Sequence, residues 1–217
     1  MWSTARTAFC TGFSVSEKGL AETGSQSLKN LIEGFAYGDM TSVAVDTVND
    51  RIAVALQAEG YADNGYVALL DYDFNLIKAY EVGVQPDMVT FTYDGRMVLS
   101  ANEGEPREGY GAGTVDPEGS VSIIDLMDDS VTNAGFGGFD SAALAAEGVL
   151  IGRVDGQMNT ASADLEPEYI VVSADDSRAY VSLQEANAIA EIDLEAKAVT
   201  DVSSMGFKDL GAREKRR

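Results

Sequence analysis

From Met88 to Leu126 apolar and polar positions alternate with a period of two, and the alternation breaks at defined places. Met88 to Thr92 alternates as a half-buried strand does. Tyr93-Asp94-Gly95-Arg96 then supplies an Asp-Gly turn, a strong hairpin signal. Met97 to Ala101 reads as the return strand, and Ser120 to Leu126 as a third strand with Val121, Ile123 and Ile124 as its apolar positions. Between them lies an acidic, glycine-rich loop, Asn102 to Gly119. The same pattern recurs in Thr41 to Asp71 and in Pro167 to Asp193. Aligned on their turns, Asn49-Asp50-Arg51, Asp94-Gly95-Arg96 and Asp176-Ser177-Arg178 coincide, and Gln57, Asn102 and Gln184 fall at one equivalent position. Each third strand closes on an aspartate: Asp71, Asp125 and Asp193.

A period of about 40 to 50 residues with several short strands per repeat predicts a β-propeller. The fold class is therefore all-β: four-stranded antiparallel blades in an incomplete propeller of about three to four blades. The blades are expected over residues 41–83, 84–138 and 165–207, within a propeller region 41–209, with a long connection at 139–164. Ser141 to Glu147 in that connection reads as one or two helical turns. Residues 1–40 read as a partial blade or a poorly ordered segment, with a loop at Leu20 to Gln26 and a short helix or packed edge at Ser27 to Phe35. The basic stretch 210–217 reads as a disordered tail.

Strand order in such a meander separates the loops into two sets. The tight turns Asn49-Asp50, Asp94-Gly95, Asp175-Asp176, Asp128 to Ser130 and Glu195 to Lys197 fall at one end. The long loops Ala58 to Asn64, Asn102 to Gly119, Gly138 to Pro167 and Gln184 to Asn187 fall at the other. Loops on a rigid scaffold are where binding sites are built.

Composition narrows the chemistry. The 217 residues, 45% of them hydrophobic, suffice for one domain with a sizeable core. Fifteen Lys and Arg stand against 36 Asp and Glu, a net charge of −21, which disfavours nucleic acid and anionic membranes and favours cations. The chain has no histidine, so no triad or metal site can use its own imidazole. Cys10 is the single cysteine, which excludes an internal disulfide. Ser, Thr and Gly interrupt Met1 to Val15, so neither a secretory signal nor a membrane span is read there. Asp71 to Asn75 begins like a calcium loop, D-x-D-x-N, but Leu76 and Val82 stand where that loop needs Gly and Glu. It is read as the polar turn between third and fourth strands.

The long-loop end carries the candidate chemistry. Asp87, Asn102, Glu103, Glu105, Asp116, Glu118, Glu168, Gln184 and Glu185 are the candidate metal ligands, and Glu166 lies on the same end. Pro86-Asp87 and Pro167-Glu168 begin equivalent first strands, and each sets an acid near the propeller axis. Hard oxygens without His or Cys suit Ca²⁺ or Mg²⁺ rather than zinc or copper. The bland alternative is a solvated acidic surface neutralised by water, Arg107 and Arg153.

The strings QPDMVTF, ANEGEP, DPEGSVSIID, DLEPEYI and VSLQEANAIAEIDL resemble the choice-of-anchor I β-propeller family, over about Asp39 to Lys208. That family includes mesenchyme-specific cell surface glycoproteins and bacterial members named alkaline-phosphatase-like or esterase-like. The resemblance implies a propeller of YVTN-type repeats, usually of about seven blades, in secreted or surface-anchored proteins. Its characteristic strings fall here at Pro86-Asp87, Asn102 to Pro106, Asp116 to Gly119 and Glu166 to Tyr169. The sequence departs from the family in three ways: no signal peptide, about three repeats, and an abrupt end after Asp209. Three blades cannot close a ring and leave sheet edges unpaired, so the chain reads as part of a longer protein. Two functions follow: a non-enzymatic surface or secreted module binding a cation or a protein partner, or a metal-dependent phosphatase- or esterase-like hydrolase. The hydrolase would need bridged metal ions and an activated water. No Gly-x-Ser-x-Gly motif supports it, and Ser120 begins a strand instead.

Overall fold

A computed structural model describes residues 9–111 and 113–207; the basic stretch read as a tail, 210–217, lies outside them. The chain opens with a hairpin, β1 (Phe9–Ser16) and β2 (Gly19–Ser27). Blade 1 follows as β3 (Tyr37–Asp46), β4 (Arg51–Ala58), β5 (Asn64–Asp71) and β6 (Leu76–Val84). Blade 2 is β7 (Pro86–Phe91), β8 (Met97–Asn102), β9 (Ser120–Asp125) and β10 (Ser130–Gly135). The connection holds α1 (Ser141–Ala146), the short pair β11 (Arg153–Val154) and β12 (Gln157–Met158), and α2 (Ala161–Asp164). Blade 3 is β13 (Pro167–Val172), β14 (Arg178–Leu183), β15 (Ala188–Asp193) and β16 (Ala198–Ser204). Each blade is an antiparallel meander of four strands in chain order, so the fold is the all-β, incomplete propeller that the periodicity implies.

Apolar layers between successive blades hold the structure together. Alternate residues of one strand face opposite sides of its sheet, so a blade flanked on both sides is buried on both. All six residues of β8 and all six of β9 are buried for this reason. Met97, Leu99, Val121 and Ile123 join Ile170, Val181, Leu183 and Ile192 in the layer between blades 2 and 3, closed by Phe136, Leu144 and Leu165. Val98, Ile124 and Val89 meet Ala53, Val67, Leu69 and Val82 between blades 1 and 2. Val54, Leu56 and Leu70 meet Cys10, Leu28 and Phe74 beneath the hairpin.

The first 40 residues differ from the sequence reading. Leu20 to Gln26 is not a loop but lies within β2. Its small and polar residues show no strand alternation, and their order comes from pairing with β1 and from the Phe74 ring. A Cβ at Gly12 or Gly24 would stand 2.5 and 2.8 Å from atoms of that ring, so only glycine lets the hairpin close over it. Ser27 to Phe35 is a packed edge of single turns, with Leu28 buried and Phe35 edge-on to Tyr66 at 4.9 Å. Blade 1 begins at Tyr37, four residues ahead of Thr41. Asp71 to Asn75 is the turn from β5 to β6; Asp71 accepts from both nitrogens of Asn75.

The strand register also shifts the second repeat by one residue. Arg51, Met97 and Arg178 stand opposite the closing aspartates Asp71, Asp125 and Asp193. Arg96 is thus equivalent to Ser177, not to Arg178. The turns agree: Asp94 Oδ1 accepts from Arg96 N as Asp175 Oδ1 accepts from Ser177 N. Counting on, Asn102 takes the place of Leu56 and Leu183, and Glu103 is the equivalent of Gln57 and Gln184.

At the tight-turn end side chains tie neighbouring blades. The Asp176 carboxylate accepts from Tyr93 N and Asp94 N at 2.7 and 2.9 Å. Asp125, fully buried, is held by Arg96 at 2.8 Å and Lys197 at 3.3 Å. The Arg96 hydrogen bond brings its carboxyl down to about 2.

Candidate binding face

The innermost strands reach the long-loop end through a repeated irregularity. β7 skips Asp87 between Pro86 and Met88, and β13 skips Glu168 between Pro167 and Tyr169. β3 carries the same bulge at Thr41. A bulge leaves one residue unpaired and re-aims its side chain, which puts Asp87 and Glu168 at the same place in adjacent blades. Thr41 instead donates its hydroxyl to Pro86 O at 2.6 Å and locks blade 1 to blade 2.

Gln85 organises the loop that follows β8. It is buried in a left-handed conformation, with φ of 55°. Its Nε2 donates to Tyr61 O at 2.7 Å and Glu105 O at 2.8 Å, its Oε1 accepts from Glu105 N at 3.0 Å, and its carbonyl accepts from Glu103 N. Gln85 thus holds Glu105 with its side-chain amide and Glu103 with its main-chain carbonyl, over the ends of the inner strands. Arg107 lies among them: 3.6 Å from Glu103, 3.4 Å from Glu105, and donating to Gln57 Oε1 at 2.9 Å. Arg153, the other cation considered as a counter-charge, donates to Gly156 O.

These carboxyl groups act on one another. Burial and then the charges of Asp87 and Glu105 push Glu103 up to about 7. Burial, then Glu185, Glu103 and Glu105, push Glu166 up to about 8. Burial followed by Glu185 and Asp87 raises Glu168, and burial raises Asp87 against the lowering effect of Arg107. Like charges nearby disfavour ionisation, and this adds to burial at Glu103, Glu166 and Glu168, while burial alone raises Asp87.

Not every candidate joins it. Asn102 lies inside the blade, fully buried, and its amide is committed there. Nδ2 donates to Ser120 and Ser122 at 3.1 and 2.8 Å, and Oδ1 accepts from Ser100 at 3.0 Å. The one-residue shift in register is the reason. Glu118 faces a different cleft, alongside Phe139, Ala142 and Thr160. Asp116 accepts from Asn159 Nδ2 at 3.0 Å through Oδ2, while its Oδ1 is enclosed without a hydrogen-bond partner among the described residues. Gln184 is exposed just beyond β14. Among the described residues no three acids stand close enough together to hold a metal ion. The residues that sequence reasoning passed over are Gln85 and the apolar wall of Tyr110, Leu150 and Ile151; a lone glutamine and a connection without pattern carry no signal in one sequence.

The choice-of-anchor I domain matches residues 13–215. The chain belongs to that family. No curated protein matches this choice-of-anchor I chain. Solved structures resemble it at low identity. A functionally unknown protein from Desulfotomaculum acetoxidans matches at 9% identity and TM-score 0.55, over 92% of this chain and 50% of that one. Hydrazine synthase from Kuenenia stuttgartiensis matches at 9% identity and TM-score 0.51, over 76% and 49%. The chain therefore spans about half the length of these structures. At such identity the likeness concerns the fold alone. No helix among the described residues is long and apolar enough to cross a membrane.

Proposed function

We propose that the protein is a non-enzymatic, surface-associated β-propeller binding module whose long-loop face takes a positively charged ligand, Ca²⁺ or Mg²⁺ being the simplest. Family membership supports the surface association. The observation that carries the binding reading is the placement of Asp87 and Glu168 on paired bulges of adjacent blades, with Glu103 and Glu185 on the loops beside them and Arg107 as the neighbouring counter-charge. A carboxylate cluster that raises its own pKa values gains from any cation that enters it. Glu105 and Glu185 are exposed at the rim, Glu105 paired with Arg107 and Glu185 hydrogen-bonded to Glu168; Glu103 and Glu168 are half-buried beside them.

Thermal melting in millimolar Ca²⁺ or Mg²⁺ tests the reading. A ligand at about 30 times its Kd adds roughly 2 kcal/mol, or about 4–8 °C for a chain of this size. The double variant Glu103→Gln, Glu168→Gln should melt higher than wild type without ions and lose the response to them. A wild-type melting temperature indifferent to both ions removes the divalent-cation reading.

A further inference from the structure

Internal repetition isolates one side chain that the fold does not use. By strand register Gln85-Pro86-Asp87 and Glu166-Pro167-Glu168 are equivalent, since Pro86 pairs with Asn102 as Pro167 pairs with Leu183. Gln85, 2% exposed, spends its whole amide on the loops of its own and the preceding blade. Glu166 is 8% exposed, and among the described residues its carboxylate has neither a hydrogen bond nor an ion pair. The charges that act on it are all other carboxylates. A buried ionisable group without a partner in the protein is costly; the Glu166 oxygens are not enclosed but open on the cleft beside them.

Glu166 borders a cleft of about 480 Å³. Glu105, Asp164 and Glu185 share its lining, and Tyr110, Leu150 and Ile151 supply apolar wall. The walls are fixed: Leu150 N donates to Ala186 O at 2.9 Å, and Asp164 accepts from Gly152 N at 2.6 Å and from Asn159 Nδ2 at 3.1 Å. Leu150 and Tyr110 are 46% and 55% exposed, so apolar surface stands open beside the acids. The carboxylates are spread around this space rather than gathered into a metal-holding group. A bare ion uses neither the volume nor the apolar wall. An organic cation uses both, as long basic side chains do when their stems lie on apolar surface.

We propose that this cleft receives an alkylammonium or guanidinium group, whose N–H donors bond Glu166 and whose stem lies along Leu150, Ile151 and Tyr110. The head group supplies to Glu166 what Gln85 obtains from its own neighbours, namely complete hydrogen bonding. The inference rests on the long-loop face being the binding face, but not on a metal ion there. The shared chemistry has two sources, a free amine or a lysine or arginine side chain.

Calorimetric titration of the whole chain at pH 9 tests it, with the capped amides of lysine, arginine and norleucine, with 1,5-diaminopentane, and with CaCl₂. The lysine or arginine amide should bind and the uncharged norleucine amide should not. Glu166→Gln installs the residue found at position 85. It should weaken binding by about ten- to a hundredfold, as loss of a charged hydrogen-bond partner does, while melting no lower than wild type. Leu150→Ser, on the exposed wall, should weaken binding less. Preference for the capped amides assigns the source to a protein side chain, and equal binding of the diamine assigns it to small amines. Norleucine binding as well as lysine, an unchanged Glu166→Gln, or no organic cation binding at all overturns the proposal. A Ca²⁺ response lost in the Glu103 and Glu168 variant, without amine binding, would sink this cleft alone and leave the binding face standing.

Discussion

At the scale of single residues, burial gives the acids of this chain opposite consequences for stability. Glu103 and Glu166 have an ordinary value of 4.5 and are raised to about 7 and about 8. A raised acid contributes stability that is fully present below 4.5 and is lost as pH climbs through its folded value, because the folded chain then holds more protons than the unfolded one. Asp87 and Glu168 are raised as well and add in the same direction. Asp125 is lowered from 3.8 to about 2, so its contribution is present above 3.8 and disappears as pH falls toward 2. Denaturant titrations across pH should therefore place maximum stability at about pH 4 to 4.5, with a decline toward pH 8 that Glu166→Gln flattens. An unchanged decline in that variant contradicts the placement of Glu166. Cation binding opposes the same protons, so affinity at this face should rise as pH passes through about 7 and about 8.

At the scale of elements, the blades meet through a recurring glycine and proline. Gly65, at the start of the third strand of blade 1, stands against Pro86 at the start of blade 2; Gly119, just before the third strand of blade 2, stands against Pro167 at the start of blade 3. A Cβ at Gly119 would lie 2.2 Å from Leu165 O and 2.8 Å from Pro167 Cδ. Neither neighbour is a flexible side-chain end, so the blades themselves must part. Gly119→Ala should cost about 1–3 kcal/mol or more, as overpacking does, and appear as a melting temperature several degrees lower. Gly135→Ala is the control: nothing lies within 4 Å of the place its methyl group would take, so its effect should stay within about 0.5 kcal/mol. Equal losses in both would mean that the inter-blade contact is not what the glycine serves.

At the scale of the whole molecule, the described blades leave an apolar sheet face open. Tyr169, Val171, Tyr180 and Ile189 of blade 3 are exposed on the side away from blade 2. Val171 lies opposite Tyr180 and Ser182 opposite Ile189 in register, so the four form one patch. Contiguous exposed apolar surface promotes association, and net charge of −21 opposes it. Light scattering should show concentration-dependent self-association that strengthens as salt screens the charge. Val171→Asp with Tyr180→Asp should abolish it. A monomer at every salt concentration, high salt included, would show that the patch does not drive association.

The all-β class, the strand alternation, the tight turns, the closing aspartates and the division of loops between two ends were legible in the amino-acid order, because period and turn chemistry are local properties. The hairpin at Phe9–Ser27 was not, because its polar and small residues become strands only through pairing with each other and closure over Phe74. Among candidate ligands, the shared placement of Asp87 and Glu168 followed from their Pro-acid strings. Asn102 was misplaced, because register is set by inter-strand pairing and a one-residue shift moved it from the loop into the sheet. The difference between Gln85 and Glu166 lay beyond any reading of the chain in order. Whether a buried group is satisfied depends on what neighbouring blades and the long connection bring to it, and only the tertiary structure brings Tyr110, Leu150 and Glu185 around Glu166.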